Sequence, residues 1–170
     1  MKERGTMLKS LGVDLGNVII DHVGFGTTRE FVRNGDYNSI PAVPGVFEAL
    51  RQLNQLKFSS NIFVVYNATN VADQKIISWL QYHNFFKKTG ISTEMVMRTQ
   101  NGRDKSALCK KFGATHFIDD RLEALSYLIG KVENLYLLRP QQTEVKQHQR
   151  FLPLVQQVSS WNEVIQLLLP

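Results

Sequence analysis

Three aspartates follow short apolar runs at two distant places in the chain. Asp14 ends the run LGVD, and the adjacent pair Asp119 and Asp120 ends the run THFIDD. Neighbouring carboxylates repel each other unless a positive charge offsets them, and a hard divalent cation prefers carboxylate oxygen as its ligand. Arg121 is the alternative source of that positive charge, which would make the pair structural. Taken together with Asp14, the pair favours a metal centre.

A lysine is a further candidate for the same site. Lys105 begins a predicted helix and follows a Gly-Arg-Asp turn. At the carboxyl end of a sheet, its ammonium group could hold a nucleophilic carboxylate and a phosphate as a point charge. The alternative is an exposed lysine without a role, and the nearby acids favour the site.

Strand-type and helix-type patterns alternate along the chain and must position these residues. The predicted strands are 11–14, 62–66, 94–98, 115–119 and 132–138, and the predicted helices are 44–55, 71–85, 105–112, 122–129 and 161–168. This alternation is typical of a three-layer, Rossmann-like α/β fold, with helices on both faces of a mostly parallel, five-stranded sheet. Ligands bind beyond the carboxyl ends of such strands, so we expect Asp14 and Asp119 to meet there.

The length of 170 residues predicts a single domain over 1–170. The segment 22–43 is irregular and glycine-rich, with a short helix expected around 28–33, and it is too short for a second domain. The polar stretch 139–158 is interpreted as a long connection before the last helix.

Composition restricts the class of protein. The only cysteine, Cys109, excludes an internal disulfide and is expected to be a small buried hydrophobe. No apolar run approaches the roughly 18–20 residues that cross a bilayer, and the polar start lacks a signal peptide, so we expect a cytoplasmic protein that does not enter a membrane. The net charge of +5 is compatible with a polyanionic partner but is also ordinary for a solvated surface.

Four motifs, in this order, resemble those of the haloacid dehalogenase (HAD) superfamily of phosphohydrolases. The first is Asp14-Leu-Gly-Asn-Val18, and the second is the strand that ends at Asn67. Lys105 matches the third motif, and Asp119-Asp120 matches the fourth. The match extends over 11–138, so the resemblance implies a HAD-like fold in which 22–43 occupies the position of a minimal cap.

The resemblance implies covalent catalysis in the presence of Mg²⁺. Asp14 would attack phosphorus and form an aspartyl-phosphate, and Lys105 would stabilise the charge. The implied ligands of Mg²⁺ are the carboxylate of Asp14, the backbone carbonyl of Gly16, and Asp119 or Asp120. Water would then release phosphate.

The sequence departs from the family pattern at two places. Gly16 stands where phosphatases of the family have an acid that protonates the leaving group, which favours a weak or specialised enzyme. Tyr66 stands where the second motif has a small hydroxyl residue. The amide of Asn67 and the hydroxyl of Thr69 are the alternative phosphate ligands, and the sequence does not choose between them.

The histidines are weaker candidates. His22 follows Asp21 in the loop on the side of the site, where contact with substrate is one possibility. His116 lies within a predicted strand and is expected to be packed rather than to bind a ligand.

Three hypotheses for function follow. The first is a Mg²⁺-dependent phosphohydrolase whose open site suits a bulky phosphorylated substrate, such as a phosphoprotein or a nucleic-acid end, unless a neighbour in an oligomer covers it. The second is a catalytically impaired relative that binds metal and a phosphorylated ligand or partner without turnover. The third, a phosphate-accepting receiver domain, is disfavoured because here the lone aspartate comes early and the acidic pair late.

Overall fold

The computed structural model describes residues 8–24, 33, 35–101 and 103–169. Within these ranges, six parallel strands form one sheet. They are β1 (Leu11–Asp14), β2 (Ile62–Asn67), β3 (Val96–Thr99), β4 (His116–Asp119), β5 (Asn134–Leu138) and β6 (Gln156–Val158). Their spatial order is β3-β2-β1-β4-β5-β6, so the strand order reverses between β1 and β4.

Seven α-helices are described in the same ranges. They are α1 (Val46–Leu56), α2 (Asn70–Tyr82), α3 (Phe85–Thr89), α4 (Asp104–Lys111), α5 (Leu122–Ser126), α6 (Gln142–Gln147) and α7 (Trp161–Leu168). Three 3-10 turns accompany them, at Tyr37–Ser39, Thr93–Met95 and Gln149–Leu154.

The sheet is buried on both faces, because side chains of successive strand residues point to opposite sides. On β2, Val64 belongs to one hydrophobic core, and Phe63 and Val65 belong to the other. The first core includes Trp79 of α2 and Trp161 of α7, and the second includes residues of α4, α5 and α6. This confirms the predicted three-layer α/β fold with a parallel sheet.

The predicted number of five strands was wrong. The sixth strand, β6, lies in the stretch 139–158, which was interpreted as a connection and which also contains α6 and a 3-10 turn. β6 has only three residues, of which Gln156 and Gln157 are exposed. At the edge of the sheet, this strand is held by backbone hydrogen bonds, which any residue type can form. Its exposed side chains therefore need not be apolar and gave no strand pattern in the sequence.

Four of the five predicted helices have bounds that differ from the observed ones by one to three residues. The helix predicted at 71–85 ends at Tyr82 and a separate helix begins at Phe85, because Asn84 adopts a left-handed conformation with φ 56° between them. The N-terminal cap of α2 is Thr69, whose side chain accepts a hydrogen bond from the backbone N–H of Ala72. The last helix has the predicted bounds, and Ser160 caps it.

The described part of the segment 22–43 packs against α2 and against the turn that follows β1. Trp79 donates a hydrogen bond through Nε1 to the carbonyl of Ile40 over 2.8 Å, and Val43 donates to the carbonyl of Ile19 over 2.8 Å. The helix predicted at 28–33 lies almost entirely outside the described residues. No helix in the described ranges has the length and apolar character needed to span a bilayer.

A pair of glycines tests the packing around β1. A Cβ atom on Gly12 would lie 2.3 Å from Cδ2 of Phe117 and 2.8 Å from Cζ of Phe63. Overpacking of this kind costs roughly 1–3 kcal/mol, so Gly12→Ala is expected to lower the free energy of unfolding, measured by urea denaturation, by about that amount. Gly16→Ala is the matched control, since among the described residues its Cβ would meet only the His22 ring, at 3.7 Å. Equal urea midpoints for the two variants would contradict this account.

Candidate active site

A buried lysine joins two aspartates from neighbouring strands. Register pairs Val13 with Ile118, so Asp14 and Asp119 end β1 and β4 side by side. Lys105, in the first turn of α4, donates through Nζ to Oδ1 of Asp14 over 2.5 Å and to Oδ2 of Asp119 over 2.7 Å. The Lys105 side chain is only 7% exposed. The structure thus brings these three predicted residues together.

Asp120 completes an acidic cluster. One carboxylate oxygen from each of Asp14, Asp119 and Asp120 lies within 4.8 Å of the others. Asp119 and Asp120 each accept one further hydrogen bond. The backbone N–H of Arg121 donates to Oδ1 of Asp119 over 3.0 Å. Asn17, held in a left-handed conformation, donates through Nδ2 to Oδ2 of Asp120 over 3.1 Å.

The side chain of Arg121 does not compensate the acidic pair. Its guanidinium group is exposed and forms an ion pair with Glu123. Arg121 is therefore not the cation that offsets Asp119 and Asp120, and among the described residues Lys105 is the cation that contacts the cluster.

The cluster carries more negative charge than its lysine offsets. Burial, followed by Asp119 and Asp14, raises the pKa of Asp120 to about 8. Burial also raises the pKa of Asp14 to about 6, although Lys105 opposes this. Burial alone would lower the pKa of Lys105, but Asp119 and Asp14 outweigh it and hold that pKa above the ordinary value. Without a further cation, burial and the neighbouring carboxylates favour the protonated form of Asp120.

This donor set fits a divalent metal ion. Three carboxylates and one ammonium group leave two negative charges when every acid is ionised, and hard cations such as Mg²⁺ and Ca²⁺ prefer oxygen ligands of this kind. The geometry alone does not select one such ion.

The cluster lies at the base of an open cavity of about 300 Å³. Besides apolar residues, two groups of residues line the cavity: predicted site residues and further polar residues. The predicted site residues among them are Asp14, Gly16, Asn67, Lys105, Asp119 and Asp120. The polar residues that sequence reasoning left out or ranked low are Asn17, His22, Tyr37, Tyr66 and Arg121. Asn17 and Tyr37 gave no signal of their own, because their place in the cavity depends on loop paths rather than on strand ends. The other three were considered from the sequence and ranked low.

The second-motif position has no small hydroxyl. The hydroxyl of Tyr66 donates to Oδ1 of Asp73 over 2.6 Å, which directs it to α2 rather than to the acidic cluster. Asn67 is exposed and lines the cavity. Thr69 does not line it, and its hydroxyl caps α2. Of the two predicted phosphate ligands, the geometry favours Asn67.

The ring of His22 faces Gly16. A Cβ atom on Gly16 would have His22 Nδ1 at 3.7 Å and Cε1 at 3.8 Å as its neighbours. Nε2 of His22 forms a hydrogen bond with the hydroxyl of Tyr37 over 3.0 Å. Burial lowers the pKa of His22 below its ordinary value, and Asp21 partly opposes this.

Two other expectations concern buried residues outside the cavity. Cys109 is buried, and burial raises the pKa of its thiol to about 12, so it behaves as the small hydrophobe that was expected. His116 is also buried, where its ring contacts Phe58 and Tyr136. Burial lowers the pKa of His116 to about 4, which agrees with a packed histidine.

Several solved structures with a similar architecture are hydrolases. A D,D-heptose 1.7-bisphosphate phosphatase from B. bronchiseptica, complexed with magnesium and phosphate, is 14% identical with a TM-score of 0.62, over 95% of this chain and 98% of that one. A haloacid dehalogenase-like hydrolase from Burkholderia xenovorans LB400 is 12% identical with a TM-score of 0.64, over 94% and 98%. The chain has a HAD-like fold.

A third structure agrees with the HAD-like fold. A HAD-superfamily hydrolase of subfamily IA from Geobacter sulfurreducens PCA is 14% identical with a TM-score of 0.59, over 99% of this chain and all of that one. No protein-family model and no curated protein matches the sequence. At these identities the likeness is one of fold, which confirms the expected architecture.

The excess negative charge of the cluster yields a test. The pKa of Asp120 is about 8 in the folded protein against 3.8 for a free side chain, so without metal the folded state binds more protons between these values. Stability should therefore fall as pH rises through that window. We expect Asp120→Asn in EDTA at pH 8.5 to raise the melting temperature by a few degrees, where about 2–4 °C corresponds to ~1 kcal/mol.

The same variant should be stabilised less by metal than the wild type is. Millimolar Mg²⁺ is expected to raise the melting temperature of the wild type, because it binds only the folded state, and to raise that of Asp120→Asn much less. Glu133→Gln, at an exposed acid, is the control and should change neither measurement. A metal-free Asp120→Asn protein that melts below the wild type would contradict this account.

Proposed function

We propose that this HAD-like protein is a Mg²⁺-dependent phosphohydrolase that acts through an aspartyl-phosphate on Asp14. The observation that carries the proposal is the buried Lys105 ammonium group shared between Asp14 and Asp119. It lies where the strand order reverses, and ligands of open parallel sheets bind at such points.

Asp14 is suited to attack a phosphoryl group. Its carboxylate faces the cavity and is 13% exposed, so a substrate can reach it. Lys105 holds one of its oxygens and places a fixed positive charge beside the negative charge that a transferring phosphoryl group carries. A fixed charge of this kind lowers the barrier without reorganisation during the reaction.

Asp14, Asp119 and Asp120 would hold the metal ion, with the backbone carbonyl of Gly16 as the further ligand that the resemblance implies. Bound Mg²⁺ would neutralise phosphoryl charge and orient the substrate. Asn67 lies on the cavity wall, where its amide can donate a hydrogen bond to a phosphoryl oxygen. These roles account for every predicted site residue except Thr69.

The substrate is a phosphoester that enters an open cavity. The opening suits a bulky group, and a phosphoprotein or a nucleic-acid end is the class we favour, with an oligomer neighbour as an alternative cover. Since residue 16 has no side chain, substrates with good leaving groups should react fastest. The second candidate function is metal-dependent binding of a phosphorylated ligand without turnover, which Gly16 and the diverted hydroxyl of Tyr66 both favour.

Phosphate release with Mg²⁺ tests the proposal. The wild type is expected to release phosphate from 4-nitrophenyl phosphate or from a member of a phosphoester panel, and Asp14→Asn is expected to lose at least a factor of about 10³, since it removes the nucleophile. Asp36→Asn is the matched control, because Asp36 is exposed and lies outside the cavity lining.

The covalent step has a direct readout. Fluoroberyllate with Mg²⁺ should bind the wild type and raise its melting temperature, and Asp14→Asn should abolish that shift. Phosphate release that is equal in the wild type and Asp14→Asn would refute the proposal. Fluoroberyllate binding without turnover of any substrate would instead favour the second candidate function.

A further inference from the structure

We propose that His22 is the group that transfers protons to the leaving oxygen and from the attacking water, in place of a side chain at residue 16. The proposal rests on the proposed function, because it assigns a further role in that reaction. It follows from the juxtaposition of the His22 ring with the open space beside Gly16.

Phosphoester hydrolysis requires a proton carrier that is not otherwise engaged. Among the described residues that line the cavity, Asp14 and Asp119 are held by Lys105. The hydroxyl of Tyr66 is directed to Asp73, and Asp120 belongs to the metal set. His22 is the histidine of the described cavity lining, and imidazole is the side chain best suited to exchange protons near neutral pH.

The space beside Gly16 is open towards His22. Gly16 is not among the described glycines with positive φ, so its backbone does not require glycine. A Cβ atom there would have only two described heavy atoms within 4 Å, and both belong to the His22 ring. Asp14, Gly16 and His22 line the same cavity, and the ring of His22 borders the space beside Gly16.

One hydrogen bond of the ring and one of the backbone hold His22 in place. Nε2 forms the 3.0 Å hydrogen bond with the Tyr37 hydroxyl, and the backbone N–H of His22 donates to Oδ1 of Asn17 over 3.2 Å. Asn17 also binds Asp120, so the His22 backbone is tied to the acidic cluster. The remaining ring nitrogen, Nδ1, is the atom nearest to the space beside Gly16.

The two steps balance as follows. An oxygen of Asp14 bonds to phosphorus as the bond to the leaving oxygen breaks, and the imidazolium of His22 gives its Nδ1 proton to that oxygen. In the second step, a water oxygen bonds to phosphorus and the bond to Asp14 breaks, while the neutral ring takes a proton from the water. The Asp14 carboxylate and the imidazolium are then restored, and phosphate leaves.

The test compares His22→Gln with the wild type on two substrates. Glutamine retains an amide that can reach Tyr37 but carries no exchangeable base. For an alkyl phosphate such as glycerol phosphate, kcat is expected to fall roughly 10²-fold with little change in KM. For 4-nitrophenyl phosphate, whose leaving group needs no proton, the loss in the single-turnover rate of nitrophenolate release should be much smaller, since that rate reports the first step and the second step is common to both substrates. His148→Gln, outside the cavity lining, is the control.

A second variant separates catalysis from structure. Gly16→Asp, introduced into the His22→Gln protein, should recover at least tenfold in kcat on the alkyl phosphate, because it returns a proton carrier to the same space. His22→Ala should give the same pattern as His22→Gln, and melting curves establish that each variant is folded.

The failures of the two proposals are distinguishable. An active wild type matched by His22→Gln would overturn the role of His22 alone. Equal losses on both substrates, without recovery by Gly16→Asp, would also overturn it, since they indicate a structural role. A wild type that releases no phosphate from any probe would overturn the proposed function, and the role of His22 would fall with it.

Discussion

The candidate site depends on one buried interaction, the ammonium group of Lys105 between Asp14 and Asp119. These partners come from a helix and from the ends of two adjacent strands, so the interaction forms only when β1 and β4 pair in the observed register. Removing one member of a buried ion pair leaves an uncompensated charge and costs several kcal/mol. The fold and the chemistry are therefore linked at this point: an error in strand register would break the site and destabilise the core.

The same constraint explains why the site is suited to a cation. Asp120 adds a third carboxylate that Lys105 does not contact, and its pKa is raised accordingly. Stability alone would favour a neutral side chain at residue 120. A charged side chain that costs stability is typical of functional sites, where local rules are commonly broken. Asn17 directs an amide at Asp120, but an amide supplies no net charge. A divalent ion held by the three carboxylates would supply it.

The sequence was sufficient to predict the residues that terminate strands. Asp14 and Asp119 follow apolar runs, and parallel strands place their carboxyl ends together, so the central part of the site followed from pattern alone. β6 was missed because Gln156 and Gln157 carry no strand pattern. Thr69 and Asn67 stayed alternatives because a threonine hydroxyl at that place suits both a helix cap and a phosphate ligand. The pairing of His22 with Gly16 depends on the path of a loop, which no local pattern encodes.

That loop path gives the absence of a side chain at residue 16 a physical meaning. The chain turns after β1 so that the backbone N–H of Asn17 bonds to the carbonyl of Ile20 over 2.8 Å, and this brings His22 back over Gly16. Asp21 is held in turn by Arg139 at the end of β5. The ring is thus positioned from both halves of the sheet, and a larger residue at 16 would contact the ring that glycine leaves accessible. Glycine at this position and histidine at residue 22 are best understood as one arrangement.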